Sequence, residues 1–218
     1  MVLPTRRLLE ILGQLREAFP DLQRVSSYCL PRNLAKKTVE ELAQLKDAGL
    51  EILYVGMESG DDEILRRVNK GETWESTRSA LLKIREAGLT SSVMVLNGLG
   101  GENLSRQHAI NTATLCNETQ PDYLSTLVVS FPQGEERFRE GFGDDFVPLS
   151  QKGLFEEIRL FLEHLELDKT IFRSDHASNY LVLKGTLGRD KQKMLDQVNL
   201  AITNPGAAPL RAEWMRGL

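Results

Sequence analysis

Glu58 and Lys70, twelve positions apart in the stretch GMESGDDEILRRVNKG (Gly56 to Gly71), are the residues whose types and spacing first point to chemistry. A carboxylate that ends an apolar run carries two acceptor oxygens at about the spacing of a ribose's vicinal hydroxyls. The same carboxylate can equally cap the helix expected from Asp61. Lys70 follows that short helix, whose return brings it toward the sheet; it either meets a ligand carboxylate or phosphate as a point charge or remains a solvated surface lysine. The run Asn97-Gly98-Leu99-Gly100-Gly101-Glu102-Asn103 offers exposed backbone amides and lets a flat ring approach the main chain. Its glycine spacing is not that of the dinucleotide fingerprint. Arg32, in LPRNL, either reaches an anionic ligand or stays on the surface ahead of the next helix. His108, His164 and His176 have no spacing suited to a metal or a triad. The first two read as packing or solvated side chains. His176 shares a loop with Asp175, Ser178 and Asn179, which either lines a pocket or forms a hydrogen-bonded turn.

These residues sit at the ends of elements that alternate in type. Helical periodicity is expected over 5–19, 38–48, 61–68, 73–87, 104–119, 150–166 and 189–202, with a capping box at Thr38 and Glu41. Between the helices lie β-rich runs, RVSSYCL, EILYVGM, SSVMVLNG and YLSTLVVSF, which predict four strands. Alternation of this kind predicts right-handed crossovers and a parallel sheet or barrel. The segments LAQLKDAGLEILYVGMESG and LLKIREAGLTSSVMVLNGLG echo each other, each running helix, Ala-Gly-Leu, strand and glycine loop. Four strands are too few for a complete eight-stranded barrel, so the expected fold is α/β, a partial (β/α) TIM-like barrel. Ligands of such folds bind at the carboxyl ends of the strands. There the sequence places Tyr28 to Asn33, Met57 to Gly60, Asn97 to Asn103 and Phe131-Pro132-Gln133-Gly134. The barrel is expected over 1–134 and a helical, capping extension over 135–218.

A formal net charge of −4 over 218 residues argues against a large nucleic-acid surface. No apolar run is long enough for a membrane span, and the expected location is cytoplasmic. The cysteines, Cys29 and Cys116, are far apart, which argues against a disulfide framework or a closed zinc site.

Taken in order, the strand-end segments resemble the second half of the radical S-adenosylmethionine fold, in the branch that contains oxygen-independent coproporphyrinogen oxidase and the methylthiotransferases. LYVGMESGDDEILRRVNKG is similar to that branch's strand ending G-[IVM]-[EQ]-S, whose acidic or amide residue contacts the cofactor ribose. The resemblance implies that role for Glu58, with Ser59 beside it. A basic residue ending V-N-[KR] holds the methionyl part, a role implied for Lys70. The G-L-P-G-[EQ] loop lies against the adenine; after Asn97 it reads Gly98-Leu99-Gly100-Gly101-Glu102 here, with Gly100 where proline is usual. SSYCLPRNL looks like the third-strand segment, with Arg32 facing the ligand. The resemblance runs from Leu8 to Gly134. FRSDHASNYLVLKGTL is similar to a tail shared by members of unassigned activity.

The implied cofactor is S-adenosylmethionine, with a [4Fe–4S] cluster and an electron donor serving the parent enzyme. The family's C-x-x-x-C-x-x-C run after the first strand and its G-G-E loop after the second are missing, the Gly100-Gly101-Glu102 here belonging to the loop already matched to the adenine, and two cysteines cannot hold three irons of a cluster. The chain is therefore expected to be part of a longer radical enzyme, inactive alone and prone to self-association through an exposed sheet edge. Two alternatives stay open. One is an ordinary β/α-barrel enzyme with a phosphate at the glycine loop and Glu58 as general acid or base. The other is a cluster-less binding or scaffold domain.

Overall fold

A computed structural model describes residues 1–131, 134–143 and 145–216 of the chain, so the expected loop residues Pro132 and Gln133 lie outside the described residues. Helix α1 (Thr5–Ala18) leads into β1 (Val25–Cys29), α2 (Pro31–Leu34), α3 (Val39–Asp47) and β2 (Leu50–Glu58). Then follow α4 (Asp62–Arg67), α5 (Trp74–Glu86), β3 (Thr90–Asn97), α6 (Gly101–Thr119) and β4 (Tyr123–Val128). The remainder comprises α7 (Glu136–Phe142), α8 (Gln151–His164), β5 (Ile171–Ser174), β6 (Leu183–Thr186) and α9 (Leu187–Thr203). The strands form one sheet in sequential order, parallel from β1 to β5, with β6 antiparallel on β5.

Local chemistry accounts for the boundaries. Thr38 Oγ1 accepts from Glu41 N at 3.2 Å while Thr38 N donates to Glu41 Oε2 at 2.9 Å, the reciprocal cap that starts α3. The two Ala-Gly-Leu copies end α3 and α5 with Gly49 and Gly88 at φ 105° and 70°, a left-handed step that stops a helix and frees the next residues to enter β2 and β3. Side chains alternate across the sheet. Leu53, Val55, Met57, Val93, Val95, Leu124 and Phe172 enter a single core beneath the helices. The other face, with Tyr54, Ser92, Met94 and Ser125, is half-buried, and Tyr28 on it is exposed.

One expectation changes. Among the described residues six strands are present rather than four, because the region after 134 contributes β5 and β6 as well as helices. The sheet and its core run across that position, with Phe155, Phe161, Phe172 and Leu183 in the same cluster as Leu53 and Val93. The charged stretch that opens the expected extension folds as α7, whose Phe138 and Phe142 join Phe131 and Phe146 in a second apolar cluster over Ile64 and Leu99.

Candidate functional site

Glu58 ends β2 with φ 62°. Ser59 N donates to Met57 O at 2.7 Å, so the chain reverses within three residues. A turn of this kind around a non-glycine residue is rare and strained, and the surroundings must hold it. The ladder to β3 slips at the same place, with Gly56 opposite Met94 and Glu58 opposite Val95. A bulge of this sort re-aims a side chain. Here it turns the carboxylate toward Lys70, whose Nζ donates to Glu58 Oε1 at 2.7 Å, with the Lys70 and Glu58 side chains 17% and 21% exposed. Gly56 lies underneath: a Cβ there would stand 2.5 Å from Glu58 Oε1 and 3.3 Å from Lys70 Nζ. The missing side chain is the space the ion pair occupies.

The loop that delivers Lys70 is tied to α2. Arg32 Nη1 donates to Lys70 O at 3.2 Å and Gly71 O at 3.3 Å, and Arg32 N donates to Glu72 Oε1 at 3.1 Å. Arg32 thus clamps the Lys70 loop, while half of its side chain remains exposed.

Behind the turn, a mostly buried set of polar groups is tied together by hydrogen bonds. Ser59 Oγ bonds His108 Nδ1 at 2.8 Å and accepts from Asp61 N at 3.0 Å. His108 Nε2 donates to Leu96 O at 3.0 Å, which makes Nδ1 the acceptor for the Ser59 hydroxyl. Gly60 N donates to Thr112 Oγ1 at 2.8 Å, and Asp61 accepts from Ile64 N, Gln107 and Asn111, capping α4 and binding α6 together. Glu157 of α8 stands 3.9 Å from His108 and accepts from Gly98 N at 2.6 Å. Burial pushes its carboxyl up, opposed by His108, the Ser105 hydroxyl and the Gly98 amide. Its Oε2 has no partner among the described residues. His108 and Glu157 therefore join the ends of β2 and β3.

The expected residues separate into two groups. Glu58, Lys70 and Arg32 come together around one loop. Ser59, Asn97, Gly98, Gly100 and Gly101 do not join them on an accessible surface, for all five are buried. Asn97 turns toward α8, donating to Leu154 O at 3.3 Å. The open amides expected of the glycine loop are used internally: Gly98 N goes to Glu157, Gly101 N to Gly98 O and Glu102 N to Val147 O. Phe146 and Val147 fill the slot, so a Cβ on Gly101 would lie 2.8 Å from Val147 O and 3.0 Å from the Phe146 ring. Gly56, His108 and Glu157 were absent from the expected set. A glycine two residues before a strand-end acid was the available signal for the first, whereas the other two act from helices remote in sequence.

Among the described residues, no group of three or more His, Cys, Asp and Glu is placed to hold a metal. Cys29 and Cys116 are both buried, and burial pushes each thiol up to about 12, the opposite of what an iron ligand needs. No helix is long and apolar enough to cross a membrane among the described residues.

The profile of the Radical SAM superfamily matches residues 4–113, half of the chain. The heme chaperone HemW of Bacillus subtilis is 26% identical over 110 residues, covering 50% of this chain and 28% of its own. A probable threonylcarbamoyladenosine tRNA methylthiotransferase of Methanocaldococcus jannaschii is 26% identical over 125 residues, covering 56% of this chain and 28% of its own. The chain thus spans under a third of the length of these relatives. Coproporphyrinogen III oxidase (HemN) from Escherichia coli superposes with TM-score 0.59 at 23% identity over 74% of this chain and 37% of its own, a likeness of fold. That match over half of its length shows that the chain belongs to the Radical SAM superfamily.

Proposed function

We propose that this chain forms one wall of a radical S-adenosylmethionine enzyme, with Glu58 receiving the cofactor ribose. The observation that carries this reading is the strained Glu58 turn, which presents a carboxylate over Gly56 with Lys70 on Oε1 and, among the described residues, no partner on Oε2. Strain concentrated at one residue and held by a buried hydrogen-bonded network is the pattern of a binding residue. Because Lys70 takes one oxygen, the carboxylate meets a diol through Oε2 and shares Oε1. Lys70, partly exposed and fixed by Arg32, lies where it can also face the methionyl carboxylate. The glycine loop supports the site from behind instead of donating amides, which removes the donors on which a phosphate-binding reading depends. When bound and reduced by a [4Fe–4S] cluster, S-adenosylmethionine supplies a 5′-deoxyadenosyl radical that abstracts a substrate hydrogen. The two buried cysteines do not fit such a cluster, so its thiolates come from residues outside this sequence, and the chain alone is inactive.

Titration of the full chain with S-adenosylmethionine, followed by amide resonances, tests this. Saturable shifts at Glu58, Ser59 and Lys70 are expected. In Glu58→Ala the affinity falls by tenfold or more, since a charged hydrogen bond contributes about 1.5–3 kcal/mol. Equal affinity in both proteins contradicts the assignment.

A further inference from the structure

The loop between β5 and β6 is built with unusual care for a segment that Glu58 and Lys70 do not use. Ser174 Oγ bonds Thr126 Oγ1 at 2.8 Å, Asn179 Nδ2 donates to Thr126 O at 2.8 Å, and Val128 N donates to Ser178 Oγ at 3.1 Å. From the far side, Arg211 donates to Asp175 O at 3.0 Å and Arg216 to Ser178 O at 2.8 Å. Ser178 N donates to His176 Nδ1 at 3.1 Å, which leaves the proton of the neutral ring on Nε2 of this exposed residue.

What this scaffold holds is a conflict of charge. Arg173 on β5 and Lys184 on β6 stand directly opposite each other in the antiparallel ladder. Like charges in that relation destabilise a sheet. Asp175 offsets them unequally: its carboxylate pairs with Lys184 Nζ at 2.7 Å and feels Arg173 only through space, the Lys184 hydrogen bond and the charges of both holding it below the usual carboxylate range. The Arg173 guanidinium, exposed, has neither a hydrogen bond nor a salt bridge among the described residues. The ladder also places this conflict. One cross-strand row runs Gly56, Met94, Ser125, Arg173, Lys184 over the half-buried face of the sheet. The Glu58–Lys70 pair sits on Gly56 at one end of that row. Arg173 is three strands away, about 14 Å at the usual strand spacing.

We propose that Arg173, with Lys184 opposite it in the ladder, receives an oxyanion of the substrate, a carboxylate or a phosphate. This rests on the reading of Glu58 as the cofactor end of the same face. The substrate then lies across Met94 and Ser125, anchored by its anionic group at the β5–β6 edge, with its remainder directed toward the cofactor. Arg is the side chain suited to this task, since its planar fork binds both oxyanions in two-point fashion.

The test titrates the full chain with inorganic phosphate and, separately, with succinate, reading the Arg173 Nε–Hε resonance and the amides of Ser174 and Lys184. Saturable shifts are expected for at least one probe, and the one that saturates at lower concentration names the oxyanion. Arg173→Gln should weaken that binding tenfold or more, whereas Arg6→Gln, on the remote surface of α1, should leave it intact. In anion-free buffer Arg173→Gln should melt at or above the temperature of the unaltered chain, and the anion should stabilise only the latter. Non-saturating shifts of equal size at Arg6 and Arg173, meaning adventitious ion pairing only, overturn the proposal, as does a lower melting temperature for Arg173→Gln. If phosphate or succinate saturates at Arg173 while S-adenosylmethionine perturbs nothing at Glu58, the radical reading fails and the anion site stands.

Discussion

Glu58 is held in a conformation that a carboxylate residue seldom adopts, and the residues on either side divide the work of holding it. Gly56 clears space above the sheet, Met57 enters the core, Ser59 bonds His108, and Gly60 lets the turn approach α6 closely. The two glycines predict opposite outcomes on substitution. At Gly56 a Cβ meets only the far ends of Glu58 and Lys70, which can move away. Gly56→Ala is expected to change stability by less than about 1 kcal/mol, because a flexible side chain relaxes where a packed core cannot, yet to displace the ion pair and weaken S-adenosylmethionine binding. At Gly60 a Cβ would lie 2.6 Å from Thr112 Cα and 2.7 Å from Asn111 O, which are backbone atoms. Gly60→Ala is expected to cost about 1–3 kcal/mol or more, as overpacking does. Denaturant unfolding of both variants checks the contrast, and a large loss for Gly56→Ala would contradict it. Glu58 and Lys70 were legible because a charged residue is anomalous where an apolar strand ends. That Lys70 would bond Glu58 itself, and that Ser59 would face inward, depended on the turn's φ, which side-chain types do not encode.

Helices α6 and α8 set the ends of β2 and β3 relative to each other through His108 and Glu157. Glu157 yields a pH prediction. Burial raises its folded pKa above the ordinary 4.5, so the neutral acid is favoured in the folded chain. For a raised carboxyl the contribution to stability is complete below the unfolded value and is lost as pH rises through the folded value. The chain should therefore lose stability as pH climbs from about 4.5 toward neutrality, relative to Glu157→Gln, which keeps an acceptor for Gly98 N without ionising. Melting temperatures of the two proteins across that range test this, and parallel curves would contradict it. At this scale the sequence was most readable where caps and periodicity coincide, as in α3, α5, β2 and β3. It was least readable at β5, whose four residues, Ile-Phe-Arg-Ser, are too few to show alternation and contain an arginine on one face. The glycine loop misled for a different reason. Its glycines do mark close approach, but the approaching atoms are Phe146, Val147 and Leu154 of the chain's own later segments.

The whole molecule is a sheet with helices on one face and a row of functional candidates on the other, closed at neither side edge. Among the described residues β1 pairs with β2 alone, and Tyr28 projects from it 75% exposed. An unprotected strand edge invites pairing with another chain. We expect the isolated chain to self-associate as its concentration rises, and a constant monomer mass in light scattering over a wide range would count against that. The partial barrel was legible from α/β alternation and the Ala-Gly-Leu echo, because each unit is local in sequence. The extent of the sheet was not, since β5 joins β4 across a long connection whose pairing is a tertiary choice. The central claim, that Glu58 receives a ribose, is tested most directly by isotope-filtered nuclear Overhauser spectra of the full chain with S-adenosylmethionine carrying a 13C-labelled ribose. Contacts from the ribose protons to Glu58, Lys70 and the Gly56 α-protons are expected. Contacts confined to other surfaces, or none at saturating cofactor, would contradict the account.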